Sequence, residues 1–418
     1  MSPRRIIIVG GGVVGIATAA LLSEAGHKVT VIDRSGLAQE TSKGNAAALA
    51  FSDIMPLASP KILLRAPKWL LDPLGPLTIR PSYLPRLTPW LWQFWKASLP
   101  ARYRASIETQ TALMRLAEVE MMALVDRAGI GAMVRHDGSL ELYESEGELK
   151  AASAGWQQRE QAGIAFEHVR GERLAELQPG LLSRFVAGTY VPGWKTVSEP
   201  QAFALALWAH AERCGATFEK AEAAGLERSE AGPSVRLADG TTRDADRIVI
   251  CAGAWSTRLI NPVTKLRIPL DTERGYNTTL PKGAFDLKRQ LIFGNHGFVM
   301  TPLSTGVRVG GAVELGGLDL PPNYARSKSM LEKAATFLPG LKTTGGVEWM
   351  GFRPSLPDSL PVIGVLPEDP SILLGFGNGH LGLTQAAAMG RLIADLAGNR
   401  TPSIDIAACS ARPFLITP

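Results

Sequence analysis

Three groups of residues have the types and spacing to do chemistry. The first is Gly10-Gly-Gly-Val-Val-Gly15, where Gly10, Gly12 and Gly15 form GxGxxG between an apolar run from Arg4 to Val9 and a small-residue stretch from Ile16 to Ala25. Gly10 allows a tight turn, Gly12 lets backbone approach a pyrophosphate, and Gly15 lets a helix pack closely on a sheet. Asp33 follows 18 residues after Gly15 and ends a second apolar run, Val29 to Ile32. A carboxylate there takes both hydrogen bonds of an adenosine ribose and repels a 2′-phosphate. Val13, Val14 and Arg34 flank this site. Thr41, Ser42, Asn45 and Ala46 come soon after, and their small polar groups suit either pyrophosphate contacts or a helix cap.

The second group is Gly375-Phe-Gly-Asn-Gly-His-Leu-Gly382, four glycines in eight residues, leading through Leu383 into a helix expected over 384–396. Gly377, Asn378, Gly379, His380, Leu381, Gly382, Leu383 and Thr384 place backbone amides and a helix N-terminus beside a flat ligand. The positive end of a helix stabilises the negative charge that a reduced flavin carries around N1 and its C2 carbonyl. His380 adds a hydrogen bond or caps the helix. The third group centres on Arg353, between Phe352 and Pro354. Its planar fork binds a carboxylate through two parallel hydrogen bonds, or it serves a structural salt bridge.

These residues need elements to hold them. Strand, glycine turn, helix and strand in the first 33 residues make a βαβ unit. Ser198-Glu-Pro-Gln201 reads as a capping box opening a helix to about Arg213. A strand begins at Thr217, a hairpin lies around Asp239-Gly240, and an apolar strand from Arg247 to Cys251 runs into Ala252-Gly253. Ala223, Ala252 and Gly253 join the cofactor-binding set. Ile372 to Leu374 reads as a buried strand. The pattern predicts an α/β chain, α+β overall. A Rossmann-like nucleotide domain is assembled from residues 1–55, 195–260 and 345–418. A substrate domain with a mixed or antiparallel sheet and helices takes 56–194 and 261–344.

Composition narrows the class. The 418 residues are 45% hydrophobic and 20% charged, which fits a globular chain of more than one core and excludes dominant disorder. Glycine, 43 residues, is about 10% of the chain against a usual ~7%. The net charge is 44 − 39 = +5 with no basic run of nucleic-acid type. Three widely spaced cysteines, Cys214, Cys251 and Cys409, form neither a disulfide framework nor a zinc site, so no metal and a reducing cytoplasm are expected. The opening apolar run is too short for a signal peptide. Residues 69–95 hold Trp69, Trp90, Trp92 and Trp95 among Arg80, Arg86 and later Lys96, which reads as internal aromatic packing or a peripheral patch on the inner face of the cytoplasmic membrane.

The chain resembles the D-amino-acid-oxidase-type FAD-dependent oxidoreductases, closest to D-amino-acid dehydrogenase small subunits and glyphosate oxidoreductases. The resembling stretches are Gly10 to Gly15, Pro67 to Pro76, Leu270 to Tyr276, Gly351 to Gly364 and Gly375 to Gly382. The resemblance implies a two-domain fold, FAD, and oxidation of an amine next to a carboxylate. It assigns the carboxylate-binding role to Arg353. It turns Arg274 and Tyr276 toward the active site as a second cation and a phenol, unless they support the sheet, with Glu273 able to neutralise Arg274. Gly351 takes the place of the cysteine that attaches FAD in sarcosine-type oxidases, which implies noncovalent FAD. Arg308 takes the place of their oxygen-activating lysine, which leaves the acceptor open between oxygen and a quinone or other carrier.

The chemistry expected is hydride transfer from the substrate α-carbon to flavin N5, because that C–H is too weakly acidic for an ordinary side-chain base. The imine then hydrolyses to a keto acid. His296, in Phe-Gly-Asn-His-Gly-Phe, takes the amine proton or is a turn residue. The substrates expected are D-amino acids, including D-proline-like ones. N-substituted glycines of the sarcosine or glyphosate kind are the alternative, giving glyoxylate and an amine. A redox-sensing flavin module without turnover and a membrane-tethered electron carrier are the competing classes.

Overall fold

The structure is a computed structural model that describes residues 2–60, 77–229 and 232–411. Trp69 and the stretch 67–76 lie outside the described residues.

One sheet has six strands in the order Thr217–Lys220, Lys28–Asp33, Arg5–Val9, Arg247–Ile250, Asp369–Phe376 and Val362–Leu366. Neighbours among the first five run parallel, and the last strand is antiparallel. The inner strands Arg5–Val9 and Arg247–Ile250 are nearly all apolar because both faces are covered, whereas the edge strand Thr217–Lys220 is polar. Ile6 and Ile8 enter one core, whereas Ile7 and Val9 enter another. The first core is closed by four helices: Val13–Glu24, Pro100–Ala128, Pro200–Arg213 and Gly382–Ala397. The second is closed by a three-stranded sheet through Leu226, Val235 and Leu237.

The second large sheet has nine strands; near one edge Asp271–Pro281 lies between the edge strand Val347–Ser355 and Gly306–Leu315. Helix Ala325–Phe337 packs on one face through Met330, Ala334 and Phe337, spaced i, i+4, i+7. Strand Val347–Ser355 belongs to this sheet, where its cross-strand partners are residues 271–279.

One local reading changes. The residue capping helix Pro200–Arg213 is Glu199, which accepts from the Ala202 amide at 2.7 Å, so the expected box at Ser198 is not the cap. Ser145 is a side-chain N-cap: its hydroxyl accepts from the Glu148 amide, and the Glu148 carboxylate accepts from the Glu144 amide just before the cap.

The tryptophan-rich region divides. On helix Leu84–Ala97, Trp90 is buried against Phe94. Trp92 and Trp95 are exposed and stack at 4.8 Å, flanked outward by Leu84 and Leu99. Among the described residues no helix is long and apolar enough to cross a membrane.

Candidate active site

A cavity of about 740 Å³ runs from the glycine turn of the six-stranded sheet to the open face of the nine-stranded one. At its nucleotide end the backbone is drawn tight. A Cβ at Gly10 would fall 2.3 Å from the Cys251 carbonyl oxygen, and one at Gly15 would fall 1.9 Å from the Gly10 oxygen. Glycine is therefore obligatory at both. Gly12, Val13, Val14, Asp33, Arg34, Thr41, Ser42, Asn45 and Ala46 line the cavity with Gly10. Gly15 does not; it lies beneath the turn and lets the helix approach. The first turn of that helix carries no carboxylate, so its positive end stays uncompensated. Ser42 Oγ accepts from the Val13 amide at 2.9 Å.

Asp33 differs from expectation. Its Oδ2 accepts from the Gly11 amide at 2.8 Å, and its Oδ1 accepts from the amides of Ser35 and Gly36 at 2.8 and 3.0 Å. A carboxylate has about four lone-pair sites. One site remains, on Oδ2, so Asp33 has room for a single ribose hydrogen bond rather than two.

The opposite wall is the strand pair 271–281 and 347–355. Arg353 is half-buried and lines the cavity, and its Nη1 donates to the Ala312 carbonyl at 3.0 Å. That carbonyl is presented by a β-bulge. The register slips between Arg274 and Tyr276, and Ala312 adopts φ +56, strained for a residue with a side chain. The Arg353 guanidinium lies over Gly275, where a Cβ would meet Nη2 at 2.3 Å. Burial lowers the Arg353 pKa, partly offset by the charge of Glu273. No carboxylate lies within ion-pair distance of Arg353 among the described residues, so it is not held in a structural salt bridge. Gly351 also lines the cavity, its Cα face covered by the Trp349 indole.

Arg274 and His296 do not line the cavity, and Tyr276 does so only at its border. Successive residues of a strand point to opposite faces. Glu273 and Arg353 face the cavity, and Arg274 is turned away. Its guanidinium is fully buried and donates to the carbonyls of Gly317, Leu320 and Pro321 and to Glu314. Tyr276 borders the cavity, but its hydroxyl donates to Glu314 at 3.0 Å and accepts from the Asn323 amide. Both support the sheet. Glu314, not Glu273, neutralises Arg274. His296 is off the cavity, with Nε2 against Glu144 at 2.7 Å and its ring on Phe337.

The glycine loop closes the third side. Asn378, Gly379, His380, Leu381, Gly382, Leu383 and Thr384 line the cavity, as do Ala223, Ala252 and Gly253. Gly377 does not; it turns the chain at φ +89 against Leu356. The Gly379 amide donates to the Pro354 carbonyl at 2.7 Å, which ties this loop to the Arg353 strand. His380 Nε2 lies 3.1 Å from Asp53, which also lines the cavity. Burial alone would raise the Asp53 pKa, but the hydrogen bond and charge of His380 and the charge of Arg159 hold it below the usual value.

Sequence reasoning missed Glu273 as a cavity residue, and also Asn277, Asp53 and Trp349. Strand alternation counted from Gly275 would have found Glu273 and Asn277. Arg308, expected beside the flavin, lines the cavity and donates to the Asn45 carbonyl at 2.5 Å and to Thr279 Oγ1 at 2.9 Å. Burial pushes its pKa down to about 10, with the charge of Glu199 opposing.

A family model described as FAD dependent oxidoreductase matches residues 5–396. The chain belongs to this family. It is 32% identical over 419 residues to a D-amino-acid oxidase of Bradyrhizobium diazoefficiens, across 99% of both chains. It is also 32% identical to a D-amino acid dehydrogenase of Xanthobacter autotrophicus, across 98% of this chain and 99% of that one. Among solved structures, glycine oxidase from Geobacillus kaustophilus matches with a TM-score of 0.76 at 23% identity, over 99% of this chain and 100% of that one. L-proline dehydrogenase from P. horikoshii matches at 0.74 and 19% identity, over 98% and 97%. These two share the fold.

The residues fit FAD. This FAD-dependent oxidoreductase offers a glycine cradle that any Cβ would fill, an uncompensated helix N-terminus, and Asp33 with one free acceptor site. Asn277 Oδ1 is buried without a partner, and its Nδ2 donates to the Gly44 carbonyl. A polar ligand reaching from Gly12 toward Asn277 answers each of these.

Proposed function

We propose that this flavoenzyme oxidises the C–N bond of an amino acid whose carboxylate is held by Arg353. One observation carries the reading: Arg353 is a half-buried cation lining the cavity with no carboxylate within ion-pair distance among the described residues, so it calls for an anionic ligand. FAD bound in this cavity supplies the two-electron acceptor that takes hydride from the substrate α-carbon. Arg353 fixes the carboxylate by a fork, Gly275 leaves room for that fork, and Ala312 orients it. The resulting imino acid hydrolyses to a keto acid in water. D-amino acids, D-proline-like ones included, are the substrate class, in line with the names of the two full-length relatives.

FAD is held noncovalently in this reading. Gly351 offers no nucleophile. Cys251 is buried, with its thiol pushed up to about 12 by burial, and it packs beneath the glycine turn. The electron acceptor is oxygen or a quinone-like carrier, and anaerobic against aerobic turnover distinguishes the two. Trp92, Trp95, Leu84 and Leu99, beside Arg86, Lys96, Arg102 and Arg104, form the face that meets an acidic bilayer.

The test is anaerobic. Purified protein should be yellow, should release its flavin on acid denaturation, and should bleach with a D-amino acid. Arg353→Ala should keep FAD and lower kcat/KM by about 100-fold, mainly through KM. An unchanged KM for the best substrate removes Arg353 from the role. Bleaching by sarcosine or glyphosate and by no D-amino acid would transfer the reading to N-substituted glycines. Bleaching by no amine would leave a redox sensor.

A further inference from the structure

We propose that Glu273 binds the cationic nitrogen of the substrate, so that Glu273 and Arg353 together recognise a zwitterion. The inference rests on the amino-acid reading above and adds a second subsite to it.

Glu273 is 4% exposed and lines the cavity. It makes no hydrogen bond and no ion pair with any other described residue. The two nearest carboxylates are partnered. Asp271 accepts from the Tyr83 hydroxyl and the Thr272 amide, and Glu314 across the strand is shared by Arg274, Tyr276 and Arg80. A buried carboxylate without a partner is strongly disfavoured unless something else neutralises it.

Arg353 supplies part of the neutralising charge at a distance but makes no contact with Glu273. Glu273 and Arg353 are directly opposed in the antiparallel register, which puts their side chains on one face with Cβ atoms roughly 5 Å apart. They could close an ion pair, yet they do not. The Arg353 fork is drawn over Gly275 and tied to the Ala312 carbonyl. Two opposite charges, one buried and one half-buried, thus stand side by side, both facing the cavity and each with free hydrogen-bonding capacity. An α-amino acid carries its carboxylate and its ammonium on one carbon. Placed between the two side chains, it satisfies both. A secondary ammonium retains N–H groups and fits the same subsite. An N-acylated amine carries no charge and is rejected.

The probes are 2-aminoisobutyrate, which has no α-hydrogen and cannot be oxidised, and isobutyrate, the same skeleton without the ammonium. Binding to the FAD-loaded protein is read from perturbation of the visible flavin spectrum. The unaltered protein should bind 2-aminoisobutyrate about 10–100-fold more tightly than isobutyrate. Glu273→Gln should abolish that preference while isobutyrate binds as before or better and FAD content is unchanged. Should that variant lose FAD, Glu273→Asp carries the test and should keep only part of the preference. If both acids are too small to bind measurably, the ratio is taken between the KM of the best amino acid and the inhibition constant of its des-amino counterpart. A preference that survives Glu273→Gln, equal weakening of both probes, or no preference in the unaltered protein overturns the proposal while leaving the Arg353 reading intact. Failure of any amine to reduce the flavin removes both.

Discussion

Gly275→Ala tests the positioning of Arg353 without touching its charge. The added Cβ would lie 2.3 Å from Nη2, 2.5 Å from Cζ and 2.9 Å from Nε of Arg353, where ordinary contact begins near 3.4 Å. The guanidinium must therefore move by about 3.4 − 2.3, or roughly 1 Å. It cannot simply rotate, because all three atoms of the fork are too close and Nη1 is held by Ala312. A displacement of about 1 Å in a positioning group costs on the order of 100-fold in rate, or about 2.7 kcal/mol of transition-state binding. Backbone strain is not a factor, since Gly275 is not in the left-handed region. Alanine in a strand is no less stable than glycine, so FAD content and Tm should hold. The assay is anaerobic flavin reduction against substrate concentration. Gly131→Ala, with open space around the new Cβ, is the control and should be silent. A Gly275→Ala enzyme with full FAD and kcat/KM within about threefold of the unaltered protein would refute the placement of Arg353 at the substrate.

Glu314→Ala removes the carboxylate shared by Arg274 and Tyr276 and should destabilise the fold by about 3–5 kcal/mol, whereas Glu314→Gln should cost clearly less. Chemical denaturation distinguishes the two, and equal stabilities would contradict the support role assigned to Arg274. His168 is held below its usual pKa of 6.5 by burial and by the charge of Arg170, so it binds fewer protons in the fold than in the unfolded chain. Its contribution to stability is therefore present above pH 6.5 and is lost as pH falls below it. Tm should drop through that window, and His168→Gln should flatten the drop. Trp92→Ala combined with Trp95→Ala should abolish flotation with acidic liposomes while amine-driven flavin reduction is unchanged. Flotation of the native protein should weaken with salt.

The nucleotide half was legible because its signals are local. A tight turn, a close approach and a buried parallel strand each impose a residue type at a fixed spacing. GxGxxG, Asp33 and the glycine loop at 375–382 could therefore be read directly from the chain. The family followed from motifs spread along its whole length, and the match over residues 5–396 confirms it. Arg353 could be read too, because an arginine between Phe352 and Pro354 has few reasons to exist apart from a ligand or an ion pair.

What the sequence could not decide was which way a side chain points in the second sheet. Glu273, Arg274 and Tyr276 are close neighbours in the chain, and motif reading grouped them. Strand alternation sends Arg274 and the Tyr276 hydroxyl to Glu314, and leaves Glu273 beside Arg353, a partner 80 residues away in the chain. The bulge at Ala312, which aims a carbonyl at the Arg353 fork, has no composition signal because alanine is not a residue that asks for positive φ. His296 looked functional because it is polar and sits among glycines, and only the fold shows Glu144 holding it. Local geometry thus determined the glycine turn and the loop that line the cavity. Long-range register alone determined which charges face that cavity.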